Sequence, residues 1–248
     1  MTSIKLSFIV PAFNEEKELP SCLSSINRAI DDLKELSPNS RLESEIIVVD
    51  NNSTDETATL ATSGGATVVF EPFNQISRAR NAGAREASGK WLLFIDADSH
   101  IDGEHLRELV ERINSKRFIG GGCIVRFDTN ALIGRLFLWI WTPISCVFKF
   151  ASGSFLLCRR DAFEELGGFS QEIFAAEEIE FSRRLKGWAK PRDMGFFILT
   201  SHPFITSGRK WRIYSFREIF IHVFRSLFAT RSTIRDRNKL PFFYDGRR

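Results

Sequence analysis

The feature that most constrains this chain is a series of short, largely apolar runs that each end in polar residues, with amphipathic segments between them. The runs are Leu6 to Val10, Ile46 to Val49 and Trp91 to Ile95. They lead into Pro11-Ala12-Phe13-Asn14-Glu15-Glu16, Asp50-Asn51-Asn52-Ser53-Thr54-Asp55 and Asp96-Ala97-Asp98. Runs this short and this apolar read as buried strands whose carboxyl ends emerge at the surface. Between the first two, Leu19, Leu23, Ile26, Ile30 and Leu33 recur at helical spacing and predict one apolar helix face. Ser53-Thr54-Asp55-Glu56 has capping-box spacing and predicts a second helix start. Val68 to Phe70 reads as a short strand, and Arg78 to Ala87 as a helix ending near Gly89. Such alternation specifies a mostly parallel sheet with helices on both faces. Open sheets of that kind bind ligands at the carboxyl ends of their strands.

Beyond the acid pair, Gly103 to Ile113 is patterned as a helix and Gly120 to Phe127 as a strand. Residues 131–150 are an aromatic stretch of ambiguous period. Phe155 to Leu157 reads as a strand, followed by a helix and a Gly167-Gly168-Phe169 turn. Glu177 to Leu185 reads as a helix with Ile179, Phe181 and Leu185 inward, and Phe196 to Leu199 as a further strand. These define one domain over 1–208 and a tail over 209–248.

The charge is uneven across that boundary. Residues 209–248 hold eleven Lys and Arg against three Asp and Glu, a net of +8, so the +3 total leaves −5 for residues 1–208. From Trp211 to Phe228 the apolar residues fall on one helical face with basic flanks, the pattern of a helix lying in an anionic membrane surface. The longest apolar stretch, Leu136 to Phe148, has thirteen residues and contains Pro143, whereas a spanning helix needs about twenty. It offers a second membrane contact or else packs on the core. Cys22, Cys123, Cys146 and Cys158 show no paired or zinc-binding spacing and read as free thiols of a reducing cytosol. The first strand starts almost at once, so a cytoplasmic protein without a signal peptide is expected.

Paired acids at the mouth of a sheet suit a hard divalent cation, which takes its remaining ligands from water and phosphate. An isolated pair equally describes a strand-end turn with two solvated acids, so context decides. That context is five motifs in order: "PAFNEE", "VVDNNSTDET", "RARNAGAREASG", "LLFIDADS" and "GGF…AAEEIEFSRRL". Together, from Ile4 to about Leu185, they resemble the family-2 glycosyltransferases of the A-type fold, which use nucleotide-diphosphate sugars.

The resemblance implies an α/β fold in which 1–208 is the catalytic domain, 1–100 its nucleotide-sugar half and 101–208 its acceptor half. It also implies a metal-dependent, inverting transfer from a UDP- or GDP-sugar to a sugar or lipid-linked acceptor, with Mn²⁺ or Mg²⁺ as cofactor. It implies Asp98 as direct metal ligand, Asp96 for the ribose or a metal-bound water, and a late histidine, here His202, as third ligand. Pro11, Ala12, Glu15 and Asp50 match the nucleobase pocket, and Asn52 and Arg80 belong to the same nucleotide-sugar set. On chemistry alone, Arg78 and Arg80 can pair with carboxylates or contact phosphate. Glu178 falls where the family carries its general base, beside Glu177, one methylene longer than the commoner Asp. No nucleic-acid partner is expected. A P-loop and a GxGxxG dinucleotide site are both absent from the sequence. The rival readings are a sugar nucleotidyltransferase, which needs a glycine-rich basic loop where "PAFNEE" stands, and a non-catalytic nucleotide-sugar-binding protein, which has no need of the base.

Overall fold

The structure, a computed structural model, describes residues 3–38, 41–129 and 131–209. The N-terminal part runs β1 (Ile4–Ala12), α1 (Leu19–Leu36), β2 (Leu42–Asp50), α2 (Thr57–Ser63), β3 (Thr67–Phe70), α3 (Ile76–Glu86) and β4 (Trp91–Ile95). It continues through β5 (Ser99–His100), α4 (Gly103–Asn114), β6 (Phe118–Phe127), α5 (Leu132–Phe148) and β7 (Phe155–Arg159). The last described elements are α6 (Arg160–Glu165), α7 (Glu177–Ala189), one 3₁₀ turn (Lys190–Arg192) and β8 (Gly195–Thr206).

One eight-stranded sheet takes all the strands, in the order β3-β2-β1-β4-β7-β6-β8-β5. The pairings among β1 to β4 are parallel, as the strand–helix alternation predicts. The second half is mixed, because β7 runs antiparallel to both β4 and β6, and β5 runs antiparallel to β8. The expected nucleotide and acceptor halves therefore share one sheet, joined along β4 and β7.

Strand alternation divides the core into two layers. From β1, Leu6, Phe8 and Val10 face one side, with Leu93 and Ile95 of β4 and Phe155 and Leu157 of β7. There they meet the apolar stripe of α1 (Leu19, Leu23, Ile26, Leu33) and that of α4 (Leu106, Leu109, Val110, Ile113). Ile9, Leu92, Phe94 and Leu156 face the other side, against α3, α6 and α7. Asp102 starts α4 by accepting from the His105 backbone N–H at 3.0 Å.

Two expectations need correction. The capping box at Ser53 does not form: Ser53 Oγ accepts instead from the Asn14 N–H, and the helix begins at Thr57, whose N–H donates to Asp55. A cross-loop partner thus outcompetes the local cap. On α7, Phe181 and Leu185 are buried, but Ile179 is only half-buried. Cys22, Cys123 and Cys158 are buried free thiols, and Cys146 is half-buried. No described helix is long and apolar enough to cross a membrane. The amphipathic helix expected from Trp211 onward lies outside the described residues.

Candidate active site

The β1 and β2 carboxyl ends are knitted into one rim. Pro11 and Ala12 finish β1 inside the core, and the Ala12 carbonyl accepts from the Asn51 N–H at 2.8 Å. Asn14 and Asn52 hold left-handed backbones (φ 51° and 65°), which Asn tolerates better than most residues. That turn aims the Asn14 side-chain oxygen at the Thr54 N–H, 2.8 Å away. Glu15 is buried and its N–H donates to Thr57 Oγ1 at 2.8 Å. Asp50 is buried at the end of β2, where it accepts from the Ser53 N–H at 3.0 Å. Asn52 is exposed on the tip. This rim brings together the residues that the sequence places in the nucleobase pocket.

Arg80, on α3, is the hub of the adjoining half. It is 1% exposed, and its two terminal nitrogens donate to Glu177 Oε1 (2.8 Å), Asp96 Oδ1 (3.1 Å) and the Gly153 carbonyl (2.9 Å). Its Nε has no hydrogen-bond partner, and the guanidinium lies 5.4 Å from the Phe169 ring centre. A buried cation must be paired to persist. Burial alone would depress its pKa, but Asp96, Glu177 and Glu178 outweigh that and raise it. Of the two chemistries open to Arg80, the structure shows the pairing with carboxylates. It ties the acid turn after β4 to the start of α7, across 97 residues of sequence in the case of Glu177.

The neighbouring residues explain the rest of the "RARNAGAREASG" motif. Asn81 exchanges two hydrogen bonds with the Phe169 backbone, both 2.9 Å, and so holds the Gly167-Gly168-Phe169 turn. Both glycines of that turn have positive φ (73° and 70°), where a side chain would be strained. Arg184 of α7 closes the turn from the other side through the Leu166 and Gly168 carbonyls. Gln75 bonds the Gln171 and Ile173 carbonyls and is itself held by Asn51. Reading one residue at a time misses Asn51, Gln75 and Asn81, because their partners lie tens of residues away.

These supports set Glu177 and Glu178 apart. Glu177 is buried and paired with Arg80 through Oε1. Glu178 is half-buried, with its carboxyl carbon against Gly153, 3.7 Å from where a Cβ there would stand. Burial of that carboxyl and the charge of Glu177 push its pKa up to about 8, against the opposing pull of Arg80. A carboxylate raised toward neutrality is a stronger base, and sites that move protons are where such shifts gather.

The acid pair itself is bent by a turn. β4 stops at Ile95 and the Ser99 N–H closes on the Asp96 carbonyl at 3.1 Å, so strand alternation does not govern where the two side chains point. Asp96 pairs with Arg80, while Asp98 lies 3.8 Å from Arg209. Arg209 also grips Glu15 at 2.9 Å, joining the last described residue to the end of β1. Asp98, Asp96 and Glu15 all act on the Cys22 thiol, whose pKa burial and these charges raise. Asp98 and Glu15 thus share one cationic partner, Arg209, while Asp96 is held by Arg80. The donor set is hard oxygen and fits Mn²⁺ or Mg²⁺. His202 lies elsewhere: its imidazole faces Glu108 of α4 at 3.7 Å, and its carbonyl accepts from His105 and Cys123. Among the described residues no group of three or more His, Cys, Asp or Glu is arranged to hold a metal, so the triad with His202 is not preformed.

Comparison with known proteins completes this picture. The family model described as glycosyl transferase family 2 matches residues 7–167. The chain belongs to that family. An uncharacterized glycosyltransferase of Mycobacterium tuberculosis is 34% identical over 114 residues, 46% of each chain. The match thus spans about half the length of that curated relative. A mannosyltransferase of Pyrobaculum calidifontis, solved with GDP-Man and Mn²⁺, superposes with a TM-score of 0.64 at 18% identity, covering 86% of this chain and 61% of that one. Glucosyl-3-phosphoglycerate synthase of M. tuberculosis, solved with Mn²⁺, UDP and phosphoglyceric acid, gives 0.60 at 19% identity, covering 94% and 80%. At these identities the superpositions establish the fold, an A-type glycosyltransferase fold.

Proposed function

We propose that this family-2 glycosyltransferase is metal-dependent and inverting, and moves a sugar from a UDP- or GDP-sugar to an acceptor hydroxyl. The observation that carries this reading is the bridge from Asp96 through Arg80 to Glu177, which holds the acid turn and the base-bearing helix at one place. Asp50, Glu15, Asn52, Pro11 and Ala12 line the rim assigned to the nucleotide. Asp98, with Asp96 behind it, would hold Mn²⁺ or Mg²⁺, which neutralises the diphosphate as it leaves. Glu178 accepts the proton of the acceptor hydroxyl while that oxygen attacks the anomeric carbon and the bond to the diphosphate breaks. Attack from the side opposite the leaving group inverts the configuration. Neighbouring folds crystallised with GDP-Man or UDP and Mn²⁺ support the donor class and the metal. The apolar face of α5 favours an acceptor presented on a lipid.

A thermal-shift panel of UDP- and GDP-sugars with and without Mn²⁺ tests the reading, because a ligand that binds only the folded state raises the melting temperature by mass action. One donor class should stabilise the protein in a Mn²⁺-dependent way, and Asp98→Ala should abolish both that dependence and transfer while leaving the fold intact. Metal-independent stabilisation retained in Asp98→Ala would remove the metal from the scheme.

A further inference from the structure

Helix α5 is amphipathic in the wrong sense for a helix that only covers a core. Its inner stripe is Gly134, Leu138, Trp141 and Ser145: Gly134 and Ser145 are buried, while Leu138 and Trp141 pack on the core layer beneath. Ser145 Oγ fixes the helix end by donating to the Phe150 carbonyl at 2.8 Å. The opposite stripe is just as apolar and faces out. Leu132 is 77% exposed, Trp139 75% and Val147 74%, with Leu136, Ile140 and Phe148 each about half exposed. Between them Trp139, Ile140, Pro143 and Ile144 line a shallow groove beside Arg135. Contiguous exposed apolar surface of this kind marks an interaction site.

Charge around the stripe identifies the partner. There is no acidic residue between Asp128 and Asp161, while Arg135 lies on the helix itself and Lys149 follows it. Lys186 reaches the helix end at the Phe148 carbonyl and lies 4.2 Å from the Phe150 ring centre. Its pKa is lowered by burial and then by Arg183 and Lys149, so three cations crowd one end of the stripe. A protein partner would meet a rim of mixed charge. A rim of one sign around an apolar stripe that carries an exposed tryptophan is complementary to anionic headgroups over acyl chains. Seventeen residues are too few to span a bilayer but suit a helix lying in its plane.

We propose that α5 docks the protein on an anionic lipid surface, its outer stripe entering the headgroup–acyl boundary and Arg135, Lys149, Arg183 and Lys186 meeting the headgroups. This inference rests on α5 alone and does not depend on the glycosyl-transfer reading. It adds to that reading a bilayer next to the acceptor half, since only four residues separate Phe148 from Gly153, whose carbonyl holds Arg80.

Flotation of the full chain with phosphatidylcholine vesicles, with and without phosphatidylglycerol, tests it. Binding should require phosphatidylglycerol and weaken at high salt. The triple variant Leu136→Gln, Trp139→Gln, Ile140→Gln should bind at least about tenfold more weakly, since it removes most of the apolar area that enters the lipid. Those side chains face solvent, so its melting temperature should hold. As a check independent of folding, dibrominated lipid should quench part of the tryptophan fluorescence of the parent protein, and Trp139→Phe should lose that quenched part while still floating. Undiminished flotation of the triple variant, or unchanged quenching in Trp139→Phe, overturns the proposal. So does a parent protein that ignores the vesicles, or one that is a dimer in sedimentation and becomes a monomer in the triple variant.

Discussion

Glu177 and Glu178 stand side by side with opposite chemistry, because Arg80 reaches only the first at hydrogen-bond distance. Removing one partner of a buried ion pair costs about 3–5 kcal/mol, and because Arg80 keeps Asp96 and the Gly153 carbonyl the loss falls at the low end of that range. Glu177→Gln should therefore lower the melting temperature by on the order of 10 °C, as measured by calorimetry. Glu178→Gln should leave stability nearly intact and lower kcat by about 10²–10⁴-fold with donor affinity little changed, the loss typical of a general base. If the two variants exchange phenotypes, the roles of the two glutamates are exchanged. The pKa of about 8 on Glu178 adds a pH signature. The folded protein keeps a proton that the unfolded chain releases, so this group's contribution to stability falls as pH rises from the ordinary carboxylate range to about 8. Activity should follow the opposite sense, with kcat/KM rising toward pH 8 as the base deprotonates. Glu178→Gln should flatten both profiles, read by chemical denaturation and by initial rates.

At the scale of elements, α3 carries more of the site than any strand does. Gly83 lets it lie close on the sheet: a Cβ there would stand 2.5 Å from Ile9 Cγ2 and 2.9 Å from Val49 Cγ2. Ala favours a helix over Gly by about 1 kcal/mol, whereas overpacking a core contact costs about 1–3 kcal/mol. Gly83→Ala should therefore destabilise on balance, by roughly 1–2 kcal/mol, a drop of about 2–8 °C in melting temperature. Because Arg80 lies one turn earlier on the same helix, transfer should fall as well. A more stable Gly83→Ala would mean that the helix seats without this contact. Elements set by local pattern could be read in advance. Trp91 to Ile95 and Gly103 onward form the strand and helix that their periodicity implies, because a buried strand and a capped amphipathic helix each write a complete local code. Three features could not be read that way. The antiparallel course of β7 depends on the path of α5, the lost cap at Ser53 on a partner across the loop, and the pairing of Arg80 on three segments distant in sequence. The α5 stripe was ambiguous for a related reason: periodicity reveals two apolar stripes but not which one meets the core.

On the scale of the whole molecule, Arg209 pairs with Glu15 across 194 residues and stands 3.8 Å from Asp98, so the end of the described chain closes the site that its beginning opens. A guanidinium and a divalent cation repel each other over a few ångström, and they would share these carboxylates. On the proposed metal-dependent reading, loading Asp98 with Mn²⁺ would displace Arg209, and the incoming diphosphate would be the new partner for its planar fork. Arg209 is 23% exposed and Asp98 21%, so their pairing is worth little more than a surface pair, about 1 kcal/mol. Arg209→Gln should bind Mn²⁺ alone about fivefold more tightly, because nothing need be expelled, as followed by titration with the paramagnetic ion. The same variant should bind the nucleotide diphosphate more weakly once Mn²⁺ is saturating, because the displaced charge no longer meets the phosphates. The opposite signs of the two effects distinguish exchange from simple screening, in which loss of a positive charge would strengthen the metal and leave the diphosphate step unmoved. Equal Mn²⁺ affinities in the two proteins would place the cation away from Asp98 and end the argument for displacement.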